Sequence, residues 1–189
     1  MIAGNPLVFA IESGITNAYE RLSFRALGFF VIHVGGRRYG VCEPDATLLA
    51  NSVDEVGRRL AGRGSHTAPF ADHDAGAIAG AFRSAIYAEE QEESYFGLPL
   101  SDFEGVIHSS RIMWAPDGDE AFDDSSYVLQ FDVGDRVRLI AFRSCPNDLY
   151  DHTTLSDVWL AADGFYRILG QWHDAFESEW ESTPKTEEC

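Results

Sequence analysis

Lysine is almost missing: Lys185 is the single one among fourteen basic residues, and 189 positions hold only three cysteines, Cys42, Cys145 and Cys189. The cysteines are widely spaced with no CxxC pair, which argues against both a disulfide framework and a zinc ribbon. Long apolar runs are lacking too. The longest, Leu27 to Val34, is interrupted by His33 and falls far short of the ~20 residues that cross a bilayer. The N-terminus shows no charged segment followed by an apolar one, so a cytoplasmic protein is expected. GxSxG, the P-loop, a complete dinucleotide fingerprint and HExxH are all absent. Those are the spacings of common nucleophilic, phosphate-binding and zinc-hydrolase sites. Nothing in the motif content calls for an enzyme, a cofactor or a metal.

What is present in excess is acid, and it is unevenly placed. Thirty-one acidic residues face fourteen basic ones, for a net charge of −17. Residues 1–71 hold 7 basic and 6 acidic side chains (+1), and residues 72–189 hold 7 and 25 (−18). Such a field repels nucleic acid and anionic membrane and accelerates encounter with a basic protein partner. A salt adaptation would spread its acid evenly, which this chain does not do.

At 45% hydrophobic content the length suits one domain, expected over residues 1–181, with 182–189 as a disordered tail. The dominant element is Leu155 to Trp180. Within it Phe165, Ile168, Leu169, Trp172, Ala175, Phe176 and Trp180 recur at helical spacing, opposite Arg167, Gln171, Asp174, Glu177, Ser178 and Glu181. That predicts an amphipathic helix lying on a sheet, fed by a strand over Thr153 to Trp159.

Leu7 to Ile15 reads as a first strand. Leu27 to Val34 and Arg37 to Cys42 form a hairpin about Gly35-Gly36, with Ile32 opposite Tyr39 and Phe30 opposite Val41. Ser52 and Glu55 have capping-box spacing before a helix that Gly62 ends, and a second helix is expected over Ala75 to Ala88. Gly62-Arg63-Gly64-Ser65 has the composition of an anion nest. Val106 to Trp114 reads as a strand. Tyr127 to Val133 and Val137 to Arg143 form a second hairpin. Its alternating pattern favours a three-residue link that sets Phe131 against Leu139, whereas Gly134-Asp135 favours a two-residue turn that sets Phe131 against Arg138; the first is preferred. With hairpins dominant and βαβ alternation absent, the expected class is α+β: a largely antiparallel sheet with about three helices, the C-terminal one packed on the sheet.

Two acidic stretches stand out as candidate partner-binding segments. The first is Glu89, Glu90, Glu92 and Glu93, followed by Tyr95 and Phe96. At the end of a helix these carboxylates would oppose the macrodipole, and Glu89 and Glu93 would repel one another, so they cost helix stability. The second is Asp117, Asp119, Glu120, Asp123 and Asp124, with Phe122 among them. An aromatic anchor within a charged rim is how interface hot spots are built. The alternative for the second stretch is a metal-binding or hydrolytic loop, but its spacing does not match an EF-hand. His173 and Glu177 lie one turn apart without a third ligand. Asp72-His73-Asp74, His108 and His152 form an acid–base set only if the fold assembles them.

Asp157-Val158-Trp159-Leu160 followed by Phe165, Leu169 and Trp172, with Gly4-Asn5-Pro6 leading to Phe9-Ala10-Ile11 and the Gly28-Phe29-Phe30 strand before a turn, resembles the immunity protein 42 family of bacterial polymorphic toxin and contact-dependent growth inhibition systems. The similarity runs from residue 2 to about 181. It rests on apolar fold-determining positions, and residues 62–124 look idiosyncratic, so no contact residue is transferred there. The resemblance implies an antidote that binds and blocks one cognate toxin domain encoded beside it. A basic nuclease is the toxin that the acidic field fits.

Overall fold

The computed structural model describes residues 1–89, 91–114, 120–145 and 148–186. Its architecture is α+β, with antiparallel sheets and four helices among the described residues.

The first sheet has the order β1 (Ile2–Asn5), β2 (Phe9–Ala18), β3 (Ala26–Val34), β4 (Arg37–Tyr39), with β5 (Thr47–Leu48) also on β3. The strand expected from Leu7 begins at Phe9 as β2 and runs on to Ala18, and β1 before it was not expected. Leu7 and Val8 sit in the turn between them, 77% and 40% exposed, because the Asn5 side chain accepts from Leu7 N at 3.0 Å and bends the chain ahead of β2. The Gly35-Gly36 hairpin forms with Ile32 opposite Tyr39 as expected. The Phe30–Val41 pair does not. Gly40 takes φ +109°, its N–H is drawn to the side chains of Asp124 and Ser126 (3.2 Å each), and the ladder ends at Tyr39.

Helix α1 (Ala50–Ala61) starts earlier than the capping box requires: Ser52 is inside the helix, buried, with its Oγ unpartnered. Gly62 ends it as expected. Helix α2 (Ala75–Tyr87) is capped by Asp74, whose carboxylate accepts from Ala77 N at 2.9 Å. A short hairpin, β6 (Ser94–Tyr95) and β7 (Leu98–Pro99), leads into α3 (Leu100–Ser109). The strand expected from Val106 is therefore largely helix. Phe103 and Ile107, four residues apart, bury one face of it, and only Ile112 to Trp114 runs extended, with Met113 bridging Leu129.

The second sheet is β10 (Asp148–Ala161), β9 (Arg136–Cys145), β8 (Ser126–Val133). Phe131 lies opposite Arg138 and Val133 opposite Arg136, so the β8–β9 turn is the two-residue Gly134-Asp135 link with Gly134 at φ +61°. The alternation argument for the longer link fails because this sheet is covered on both faces. Val128, Val137, Leu139 and Ala141 belong to one core, and Tyr127, Leu129, Phe131, Ile140 and Phe142 to another. Arg138 tolerates its inward position through a bidentate pair with Asp157 (2.8 Å twice) and the carbonyls of Ala71 and His73.

The result is layered. On one side of the second sheet the first core joins it to the first sheet, α1 and α4 (Ala162–Ser182); on the other, the second core joins it to α2 and α3. The apolar stripe of α4 is as expected for Phe165, Leu169, Trp172 and Phe176, all 0% exposed, while Ala175 faces solvent. Past α4 the chain is tied back through Thr186, whose N–H donates to Ala18 O at 2.8 Å.

Candidate functional site

Helix α2 ends at Tyr87 because Ala88 turns extended (φ −77°, ψ 146°). The carboxylates that follow are therefore outside the helix, and the expected repulsion between Glu89 and Glu93 at helical spacing does not arise. The connection to β6 is pinned from beneath. Gln91 Nε2 donates to Ala85 O (2.7 Å), and the Tyr95 hydroxyl lies 2.7 Å from Ser84 Oγ and accepts from Glu92 N (3.1 Å). With the backbone held this way, Glu89, Glu92 and Glu93 project into solvent and none of them forms an ion pair among the described residues. Glu90 lies outside the described residues.

The two aromatics of this stretch part company. Tyr95 is 6% exposed, with its ring 5.1 Å from Phe103, and is a core side chain rather than an exposed anchor. Phe96, in the turn between β6 and β7 at φ +51°, is partly exposed; it stacks on Phe70 (5.4 Å) and lies 4.6 Å from the exposed His73. A left-handed phenylalanine is a strained backbone, held here by the short hairpin and the ring stack. Between Phe96 and α2 runs a groove of about 290 Å³, floored by Ala77, Gly80, Ala81 and Ser84 and edged by Glu92.

The second acidic stretch is arranged differently. Asp117 and Asp119 lie outside the described residues. Glu120 opens a 3-10 turn (Glu120–Phe122); it and Asp123 are exposed. Phe122, expected as an anchor, is 6% exposed and packs edge-on to Phe30 in the first core. Asp124 is fully engaged: it accepts from Gly40 N and Ser126 N and pairs with Arg143 at 2.8 Å. It is a structural bolt between β4 and β9 rather than a free ligand. Because Tyr95 belongs to the second core and Phe122 to the first, the two stretches are rooted on opposite sides of the central sheet.

The remaining candidates do not assemble. Among the described residues no group of three His, Cys, Asp or Glu side chains could hold a metal. The Gly62-to-Ser65 nest is real but already filled, since Gly64 N and His66 N donate to Asp132 Oδ2 at 2.8 and 3.2 Å. Asp132 also accepts from Tyr166 (2.8 Å) and Gln130 (3.3 Å), and Gln130 accepts from the wholly buried Arg59 (3.0 Å). Arg59 adds Met113 O, an ion pair with Glu55 at 3.0 Å and the Trp114 ring. Burial, only partly offset by Glu55, lowers its pKa to about 10. Burial first, and then the Asp132 hydrogen bond, push the Tyr166 hydroxyl well above its usual range. This network locks α1, β8 and α4 together, and it was missed in the sequence. Its signal was Gln130 and Asp132 at alternate positions of an apolar strand, a polar pair on a face that must be buried.

No helix among the described residues is long and apolar enough to cross a membrane. The crystal structure of CdiI from Burkholderia dolosa AUO158 matches with a TM-score of 0.55 at 16% identity, over 93% of this chain and 99% of that one, which establishes a shared fold. No curated protein matches the sequence. The family model described as immunity protein 42 matches residues 1–175, and with the fold in agreement the chain belongs to the immunity protein 42 family and has an immunity role.

Proposed function

We propose that this protein is a cytoplasmic, non-enzymatic inhibitor that neutralises one cognate toxin domain by binding it, and that the toxin is basic, in keeping with a nuclease. The observation that carries this reading is the set of exposed, unpaired carboxylates Glu89, Glu92 and Glu93 beside the partly exposed Phe96. Glu90 is their neighbour in the sequence. Carboxylates left without cations inside their own fold keep their full attraction for cations elsewhere, and a rigidly held aromatic beside them offers apolar contact at little entropic cost. Glu120 and Asp123 carry a second acidic segment on the other side of the central sheet, to which Asp117 and Asp119 belong by sequence, while Tyr95, Phe122 and Asp124 serve the fold. The test is co-expression with the toxin domain encoded next to it, read as co-purification and rescue of growth. A stable complex with rescue supports the antidote role; toxicity undiminished and no complex would reject it.

A further inference from the structure

We infer that the groove between α2 and the β6–β7 hairpin receives an arginine-bearing segment of the toxin, an assignment that rests on the toxin-binding reading above and names where and how the contact is made. At about 290 Å³ the groove stands at the lower limit of ligand pockets, roughly 300 Å³, which suits one long side chain better than a cofactor. Its floor is unusually bare for a helix. Ala77 is exposed, and Gly80, Ala81 and Ser84 are half-buried, so they present small groups one turn apart that a flexible aliphatic stem can lie against. Phe96, its ring stacked on Phe70, lines one side, and the rim carries Glu92, with Glu89 and Glu93 on the same short connection. The one basic side chain of α2, Arg83, is hydrogen-bonded to the Tyr127 hydroxyl at 2.8 Å. Asp72 and Asp74 stand exposed ahead of the helix, so acid dominates the whole surround.

An aliphatic floor, an aromatic wall and a carboxylate at the mouth match the three parts of an arginine: stem, planar guanidinium face and fork of donors. A lysine would satisfy the charge but offers neither a planar face nor two parallel N–H bonds from separate nitrogens for Glu92. The groove is braced from below by the Tyr95 hydroxyl contacts to Ser84 and Glu92.

Two measurements on the full chain test this. In the first, the isotope-labelled protein is titrated with N-acetyl-arginine amide, N-acetyl-lysine amide and the uncharged N-acetyl-citrulline amide while backbone amide shifts are followed. Shifts centred on Ala77, Gly80, Ala81 and Ser84, larger for arginine than for lysine and lost with citrulline, are expected; shifts scattered over all acidic segments, or equal for the three probes, would overturn the assignment. In the second, the toxin affinity of A77W and E92Q is compared with that of an acid-neutralising control on the exposed face of α4, E181Q. Ala77 is solvent-exposed, so the tryptophan fills the groove without entering the core. Loss of affinity on the order of 30-fold for A77W, with E181Q near wild type, is expected; A77W binding as tightly as wild type overturns the groove even if the toxin reading stands. If the wild-type protein binds no toxin, that reading fails by itself, and the amide titration still decides whether the groove holds arginine.

Discussion

Asp132 gathers more hydrogen bonds than any exposed acid discussed above, and its removal should be felt throughout the fold. Replacing it by asparagine keeps the shape and leaves an oxygen for the Gly64 and His66 amides, but it puts the new NH2 where Oδ1 accepted from Gln130 Nε2 and the Tyr166 hydroxyl, so that buried donors face one another. A loss of about 3 kcal/mol in unfolding free energy is expected, read by urea denaturation. His66 beside it supplies a pH dependence. The residue is 1% exposed, Nδ1 donates to Ser110 O at 3.0 Å, and Nε2 is buried without a hydrogen-bond partner. Burial, and then the Arg59 guanidinium, lower its pKa below the usual 6.5, while the Ser110 hydrogen bond, Asp132 and Glu55 offset this only in part. The unfolded chain therefore takes up a proton that the folded one resists, so the contribution is fully present above pH 6.5 and is lost as the pH falls below it. Between about pH 8 and about pH 5 the wild type should lose more stability than His66→Gln. Equal losses would show that His66 does not titrate across unfolding.

At the scale of elements, α4 and the α2–β6 connection make opposite demands. Trp172 is fully buried against Phe30 and Phe176, and its indole N–H donates to Ser13 Oγ at 3.1 Å. Trp172→Ala should cost about 3–5 kcal/mol. Trp172→Phe keeps most of the packing and forfeits the hydrogen bond, at about 1 kcal/mol. In the connection, the side chains of Glu89, Glu92 and Glu93 make no ion pair or hydrogen bond among the described residues. Changing all three to glutamine should leave the melting temperature unchanged or slightly raised while slowing association with the toxin in stopped-flow measurements. A triple variant that unfolds more easily than wild type would show that these carboxylates serve stability instead.

For the whole molecule, a net charge of −17 concentrated beyond residue 71 predicts an association rate that falls by about tenfold or more from low to physiological salt. The triple glutamine variant should show a shallower slope. A rate indifferent to salt would separate the acidity from toxin capture.

The amphipathic run of α4, the Gly35-Gly36 hairpin, the α2 boundaries and the α+β class were all legible in the linear order of residues. Each follows from local chemistry: a helical stripe of large apolar groups, a pair of glycines free to take positive φ, a run of small residues with apolar groups at helical spacing. The acidity of the second part of the chain is likewise a matter of composition. Only the tertiary structure decided what depended on distant neighbours. The β8–β9 register could not be read from alternation because both faces of that sheet are covered, one by the first sheet and α4 and the other by α2 and α3. Ser52 lost its capping role because the helix begins before it. Tyr95, Phe122 and Asp124 look like Phe96 and Glu92 in sequence, yet the first three are claimed by Phe103, Phe30 and Arg143, while the other two stay at the surface. Which of two similar side chains remains free for a partner is settled by what the rest of the fold brings to it, and a linear sequence does not record that.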